Sequence, residues 1–215
     1  MKLYEQMNKD NTALVIIDVV NGCANQECES PEYGITFSKI REMVPSLKEF
    51  IDTFRKEVGA QIIFINIAPW VKGEVAENIT ELYETYPETN YFSDNNSEFE
   101  GSYFGIDPQE GDIRLTKNTT SSFADGKLGK VLKEKGIKYL IVSGIFGDGC
   151  VMATVEHGFG LGYGFVLLDD FIETTDVPKR QELQKLLKTI AWPNLIGPVM
   201  TGKEFVESWK EQKIS

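Results

Sequence analysis

Three side chains in this sequence have types and settings that suit covalent chemistry: Asp18, Lys117 and Cys150. Cys150 lies where an apolar run breaks. Tyr139-Leu140-Ile141-Val142-Ser143-Gly144-Ile145 has the composition of a strand buried on both faces. The glycines at 144, 147 and 149 then permit backbone angles that other residues resist. Residues 151–157 read as a helix, with Asp148 placed to cap it and Cys150 in its first turn. A thiol there feels the positive end of the helix dipole, and a neighbouring ammonium adds to the effect, so thiolate is expected near neutral pH. Asp18 falls near the end of the first apolar run, and Lys117 directly follows the short run 112–116. A thiol, a carboxylate and an ammonium at one sheet edge are the parts of an acyl-transfer site. Each also has a plainer reading: a small buried hydrophobe for the Cys, a turn residue for the Asp, a solvated charge for the Lys.

The elements that must bring them together alternate along the chain. Thr12 to Val20 reads as a central strand, and Asn21 to Tyr33 as a loop. Apolar residues at three- and four-residue spacing from Phe37 to Phe54 predict an amphipathic helix near 36–57. A second buried strand follows at 60–67. Further strands are expected at 112–116, at 139–145 and at 165–170, with helices at 126–134 and 179–191. A short edge strand is expected at 195–200, because Pro198 cannot donate to a central ladder, and a last helix at 203–210. This alternation predicts an α/β fold, a three-layer α/β/α sandwich around a mainly parallel sheet of about six strands. Ligands bind such sheets at the carboxyl ends of the strands, where all three reactive side chains fall. The segment 70–111 includes a possible helix at 75–86 and carries seven aromatic side chains between Tyr83 and Phe104. It is too long for a plain connection and too aromatic for a disordered one. It reads as an excursion over the crevice, a contact to another subunit, or a surface loop with its own small core.

Length and composition bound the function. The 215 residues suit one domain with a full core. With 22 basic and 33 acidic residues the net charge is 22 − 33 = −11, which disfavours nucleic acid and anionic membranes as partners. No apolar run approaches the length that spans a bilayer, and the first residues lack the apolar core of a signal peptide. Three cysteines do not make a disulfide framework. A cytoplasmic protein acting on a small-molecule substrate, and forming a homo-oligomer, is expected. The glycine-rich run 158–164 follows a helix and precedes a strand, the reverse of a dinucleotide fingerprint. Cys23 and Cys28 lack partner ligands and read as free thiols, with Cys23 a possible crevice residue.

Three segments together resemble the isochorismatase-like cysteine hydrolase superfamily, which includes nicotinamidases, carbamoyl-amide hydrolases and ureidoacrylate hydrolases. They are Ala13-Leu14-Val15-Ile16-Ile17-Asp18, then Leu115-Thr116-Lys117 with Ser121-Ser122-Phe123, and Gly144-Ile145-x-x-Asp148-x-Cys150-Val151-x-x-Thr154. The last is the most specific, and the likeness runs from about Thr12 to Asp170. The resemblance implies Cys150 as nucleophile, Asp18 as its base and Lys117 as the group that orients both. It also implies a cis peptide between Ile145 and Phe146, which turns the Phe146 amide, with that of Cys150, toward an oxyanion.

The chain departs from the family in two places. Many members read Met-Gln-Asn-Asp-Phe after the Asp, whereas this chain reads Val19-Val20-Asn21-Gly22-Cys23. Nicotinamidases supply an Asp and histidines to a metal after the second strand, whereas Asn66 to Lys72 offers an amide, an indole and an ammonium. No metal and no cofactor are therefore expected, and Trp70 is expected to contact substrate. The single histidine, His157, lies two helical turns beyond Cys150, about 10 Å along the axis, and reads as a satisfied helix residue. The expected reaction is hydrolysis of a small amide, carbamoyl or ureido substrate through a cysteinyl acyl-enzyme. The alternatives are vinyl-ether hydrolysis of the isochorismate type, which members without the Cys perform, and a non-catalytic binding or assembly role.

Overall fold

The computed structural model describes residues 4–68, 75–85 and 98–212. Thr12–Ile17 (β1), Gln61–Ile67 (β2), Ile113–Lys117 (β3), Tyr139–Ile145 (β4), Gly164–Glu173 (β5) and Val199–Met200 (β6) form a six-stranded sheet in the order β3-β2-β1-β4-β5-β6. Every pairing is parallel. The strand order reverses between β1 and β4, and the crevice of such a sheet opens at that reversal. The helices are Asn21–Ala24 (α1), Ser38–Glu57 (α2), Glu77–Thr85 (α3), Glu98–Gly101 (α4), Lys127–Glu134 (α5), Met152–Gly160 (α6), Pro178–Leu186 (α7), Trp192–Leu195 (α8) and Gly202–Gln212 (α9).

The apolar runs produce this architecture because a strand sends alternate side chains to opposite faces. In β1, Leu14 and Ile16 join one core with Ile40, Leu47 and Phe54 of α2 and Phe205 of α9. Ala13, Val15 and Ile17 join the other core, with Leu128 and Leu132 of α5 and Val155 of α6. A strand apolar at every position thus needs helices on both sides, and the expected three-layer parallel fold is the one observed. Where β4 meets β1, Gly144 has φ +123°, and a Cβ there would lie 2.1 Å from the Ile17 carbonyl oxygen. Only glycine lets the two central strands close directly beneath Asp18.

Several boundaries differ from expectation. The first strand stops at Ile17 rather than Val20, because Asp18 turns the chain with φ 55°. The expected loop 21–33 contains α1 and two short 3₁₀ turns, Gln26–Cys28 and Pro31–Tyr33. The Asn25 side chain stabilises the first of these by accepting from the Glu27 amide. β5 runs on to Glu173, and its pairing with β4 slips between Val142↔Leu167 and Gly144↔Ile172. The helix expected at 179–191 is α7 followed by a π-helical turn, Leu187–Ala191. The strand expected at 195–200 is at the edge but shorter, Val199–Met200: Leu195 ends α8, and Pro198 lies just before the strand rather than in it.

Part of the aromatic excursion is tied to this chain's own crevice. The Asn21 side chain donates to Phe99 O at 3.0 Å and Ser102 Oγ at 2.8 Å. Tyr103 bridges Val20 in antiparallel fashion, and Asn66 donates to Gly101 O at 3.1 Å. The stretch 98–104 is therefore strapped to the segment that follows β1 and to the end of β2. Among the described residues no helix is long and apolar enough to cross a membrane.

Candidate active site

Asp18, Lys117 and Cys150 come from three separate strand ends and meet. Asp18 directly follows β1, and its amide donates to Ile65 O of β2 at 2.8 Å. It is the one non-glycine residue with positive φ among the described residues, a setting that aims its carboxylate across the switch point. Lys117 is the last residue of β3, and its long side chain passes the end of β2 to reach the other two. Its Nζ lies 2.7 Å from Asp18 Oδ2, with both side chains only 2% exposed. The same nitrogen donates to Cys150 Sγ at 3.4 Å and to Thr119 O at 2.9 Å. The Asp18 oxygens are enclosed, with Lys117, Cys150 and the Ile67 backbone about them. Charge and proximity hold the carboxylate, leaving it able to accept a proton. Cys150 is partly accessible.

The protonation states follow from burial. Desolvation raises the Asp18 carboxyl above its usual value, opposed by the Lys117 charge. Burial pulls the Lys117 ammonium down, but Asp18 and Cys150 outweigh it and hold its pKa above the usual value. Burial and then the Asp18 charge push the Cys150 thiol up to about 12, against Lys117. The expected resting thiolate is thus overturned. The negative charge of Asp18 is too near, and the site too dry, for one ammonium to hold a second anion. The resting arrangement is a thiol beside a carboxylate, with an ammonium in contact with both.

The turn before Cys150 also differs from expectation. Gly147–Val151 is a π-helical turn, and α6 starts only at Met152, so Cys150 precedes the regular helix. Asp148 caps nothing. Its carboxylate accepts from Arg180 Nε at 2.6 Å and Nη2 at 2.8 Å, and from the Thr174 hydroxyl. The peptide between Ile145 and Phe146 is cis, as the family resemblance implied. A Cβ on Gly147 would lie 2.1 Å from Gln184 Oε1, so α7 packs directly on the turn. Neither Arg180 nor Gln184 was legible as a site neighbour, because both sit in an ordinary-looking helix 32 or more residues away in sequence.

The other candidates separate clearly. His157 is exposed on α6, and its Nδ1 pairs with Ser121 Oγ at 3.0 Å, a satisfied helix residue. Cys23 is buried in α1, where burial first, then the Asp18 charge, raise its thiol well above its usual value. Cys28 is part-buried and also a free thiol. Trp70 and most of the segment offered in place of metal ligands lie outside the described residues. Asn66, at the start of that segment, is committed to Gly101 O and the Thr116 hydroxyl.

With this geometry in place, comparison with known proteins decides the family. The isochorismatase domain matches residues 12–204. The chain belongs to the isochorismatase family. It is 27% identical over 199 residues to the isochorismatase family protein YwoC of Bacillus subtilis, covering 93% of this chain and 94% of that one. A ureidoacrylate amidohydrolase, RutB of Caulobacter vibrioides, is 42% identical over 65 residues. That match spans 30% of this chain and 29% of the relative's length. The fold is shared with a cysteine hydrolase from Pseudomonas syringae, with TM-score 0.80 at 17% identity, covering 96% of this chain and 95% of that one. It is shared also with N-carbamoylsarcosine amidase from Thermoplasma acidophilum, with TM-score 0.64 at 20% identity, covering 91% and 97%. The relatives of this isochorismatase-family chain thus include proteins named as an amidohydrolase and an amidase.

Proposed function

We propose that the chain hydrolyses a small amide, carbamoyl or ureido compound through an acyl-enzyme on Cys150. The observation that carries this reading is the contact cluster of thiol, carboxylate and ammonium at the β1/β4 switch point. Asp18 takes the thiol proton as Sγ attacks the substrate carbonyl carbon, so no standing thiolate is needed. The developing oxyanion is received by the Phe146 and Cys150 amides. Collapse breaks the C–N bond, and the amine leaves with the proton that Asp18 had taken. Asp18 then removes a proton from water as the water oxygen attacks the thioester. The C–S bond breaks, the acid departs, and the sulfur recovers its proton. Lys117 keeps Asp18 ionised despite its burial and balances the charge that moves between carboxylate and sulfur.

The protein is proposed to work without a metal, its pocket recognising substrate through apolar contacts and a few backbone hydrogen bonds, with Trp70 among them. The relatives make ureidoacrylate and N-carbamoyl amino acids the first compounds to try. Ammonia release from such a panel, with and without chelator, tests the reading. Turnover that chelator leaves intact and Cys150→Ala abolishes is expected. Turnover that survives Cys150→Ala would remove the nucleophile assignment, and loss to chelator with recovery on adding metal would remove the metal-free one.

A further inference from the structure

The turn that carries both proposed oxyanion donors, Phe146 and Cys150, has glycine at 147 and 149 and little rigidity of its own. Two side chains grip it from outside at Asp148, the Thr174 hydroxyl and Arg180. The Arg180 guanidinium holds Asp148 through two hydrogen bonds, Nε to Oδ2 at 2.6 Å and Nη2 to Oδ1 at 2.8 Å. Its Cζ also lies 5.0 Å from the centroid of the Phe146 ring. A Cβ on Gly149 would come within 4.0 Å of Nη2. Arg180 therefore touches two of the five residues from Phe146 to Cys150 and lies beside a third. Its own helix is anchored: Gln181 Nε2 donates to Glu173 Oε1 at 2.8 Å, and Gln184 Nε2 to the same oxygen at 2.7 Å. The Phe146 ring also stacks on Phe37, with centroids 5.9 Å apart.

We propose that Arg180, acting through Asp148 and the Phe146 ring, is a positioning residue that holds the Phe146–Cys150 turn so that its two amides converge on one oxygen. The inference rests on the cysteine-hydrolase reading above. Two of the guanidinium N–H groups are committed to Asp148, and the same plane faces the Phe146 ring, so the side chain bears on the turn at two points. A lysine cannot replace it, because a point charge provides neither the two-pronged contact to a carboxylate nor the flat face for the ring.

The test separates the oxyanion site from the thiol. Acetaldehyde labelled at its carbonyl carbon with ¹³C adds to Cys150. The S–C bond forms, the C=O π bond opens and the thiol proton ends on oxygen, giving a hemithioacetal whose oxygen occupies the oxyanion position. Iodoacetamide instead alkylates the sulfur by displacing iodide and needs no oxyanion donor. Both reactions are measured at pH 9 on wild type, Arg180→Lys and the isosteric Asp148→Asn, with circular dichroism confirming that each is folded. Hemithioacetal affinity is expected to fall about 10–100-fold in Arg180→Lys, the scale of misplacing a catalytic group by about an ångström. Asp148→Asn should fall in the same direction, with alkylation at the wild-type rate in both. Wild-type acetaldehyde affinity in the two folded variants overturns the proposal. So does a parallel loss of both reactions, which would mean that Arg180 supports the thiol or the fold. Cys150→Ala that binds acetaldehyde as wild type does would instead refute the nucleophile assignment.

Discussion

Replacing Lys117 with methionine removes an ammonium that lies 2.7 Å from Asp18 Oδ2, where both side chains are 2% exposed. Methionine has similar length, so the main loss is charge. Stripping one partner from a buried ion pair costs about 3–5 kcal/mol, because the other charge is left dry and uncompensated. Asp18 can avoid part of this by binding a proton. Burial already raises its pKa above the usual value, and Lys117 is the leading group that opposes the rise. Without Lys117 the folded-state pKa climbs further. A raised folded pKa contributes stability that is fully present below the unfolded value near 3.9 and is lost as pH rises through the folded one. The loss accrues at about 1.4 kcal/mol per pH unit. Urea unfolding of Lys117→Met and wild type at pH 5, 6.5 and 8 should therefore show a gap that widens with pH, toward about 3–5 kcal/mol. Adding Asp18→Asn to the variant should recover most of the deficit at pH 8, since no buried charge remains. A gap equal at pH 5 and pH 8, or a double variant no more stable than Lys117→Met at pH 8, would show that the two groups are not an ionised buried pair.

Other outcomes follow from the same geometry. With the Cys150 thiol near 12, its iodoacetamide labelling should rise about tenfold per pH unit from pH 7 to 9, tracking the thiolate fraction. A rate already level in that range would mean a resting thiolate. Asp176 accepts from the Ser38 and Lys39 amides at the start of α2 and from the Thr36 hydroxyl, and its pKa is lowered to about 2. Asp176→Ala should cost about 1–2 kcal/mol at pH 7, as for a lost helix cap. A lowered folded pKa gives stability that is present above the unfolded value and lost as pH falls through the folded one. The gap between variant and wild type should therefore close between about pH 4 and pH 2, and an undiminished gap at pH 2 contradicts the assignment. Gly144→Ala would place a Cβ 2.1 Å from Ile17 O at φ +123°. The central strands must part, at a cost of about 3 kcal/mol or more. An unchanged melting temperature would show that β1 and β4 are not so tightly apposed.

What the sequence revealed, and what it hid, divides along physical lines. The runs in β1 and β4 are apolar at nearly every position, so their burial between two helical layers was readable from pattern alone. The ends of β1, β3 and β4 marked Asp18, Lys117 and Cys150, because parallel topology brings strand ends to one edge. The protonation state of Cys150 was not readable. Local context, a helix start and a lysine, argued for thiolate, while the deciding quantities were enclosure and the distance to Asp18. Asp148 was misread for a related reason. A cap is a local inference, and the carboxylate is instead claimed by Arg180 and Thr174 from a distant part of the chain. The strap at 98–104 was visible only as an aromatic surplus, since its anchors on Asn21 and Asn66 are long-range hydrogen bonds.

The central claim is that Cys150 carries the acyl group, and rapid acid quench during turnover followed by peptide mass mapping tests it most directly. With a ureido or carbamoyl substrate from the active part of the panel, the peptide bearing Cys150 should gain the mass of the substrate's acyl portion. The adduct should build up within the first turnover and vanish as substrate is exhausted. It should be absent in Cys150→Ala, which should not turn over, and the peptides bearing Cys23 and Cys28 should stay unmodified. Sustained hydrolysis with no adduct on Cys150 at any quench time, or with the adduct on another residue, would contradict the account.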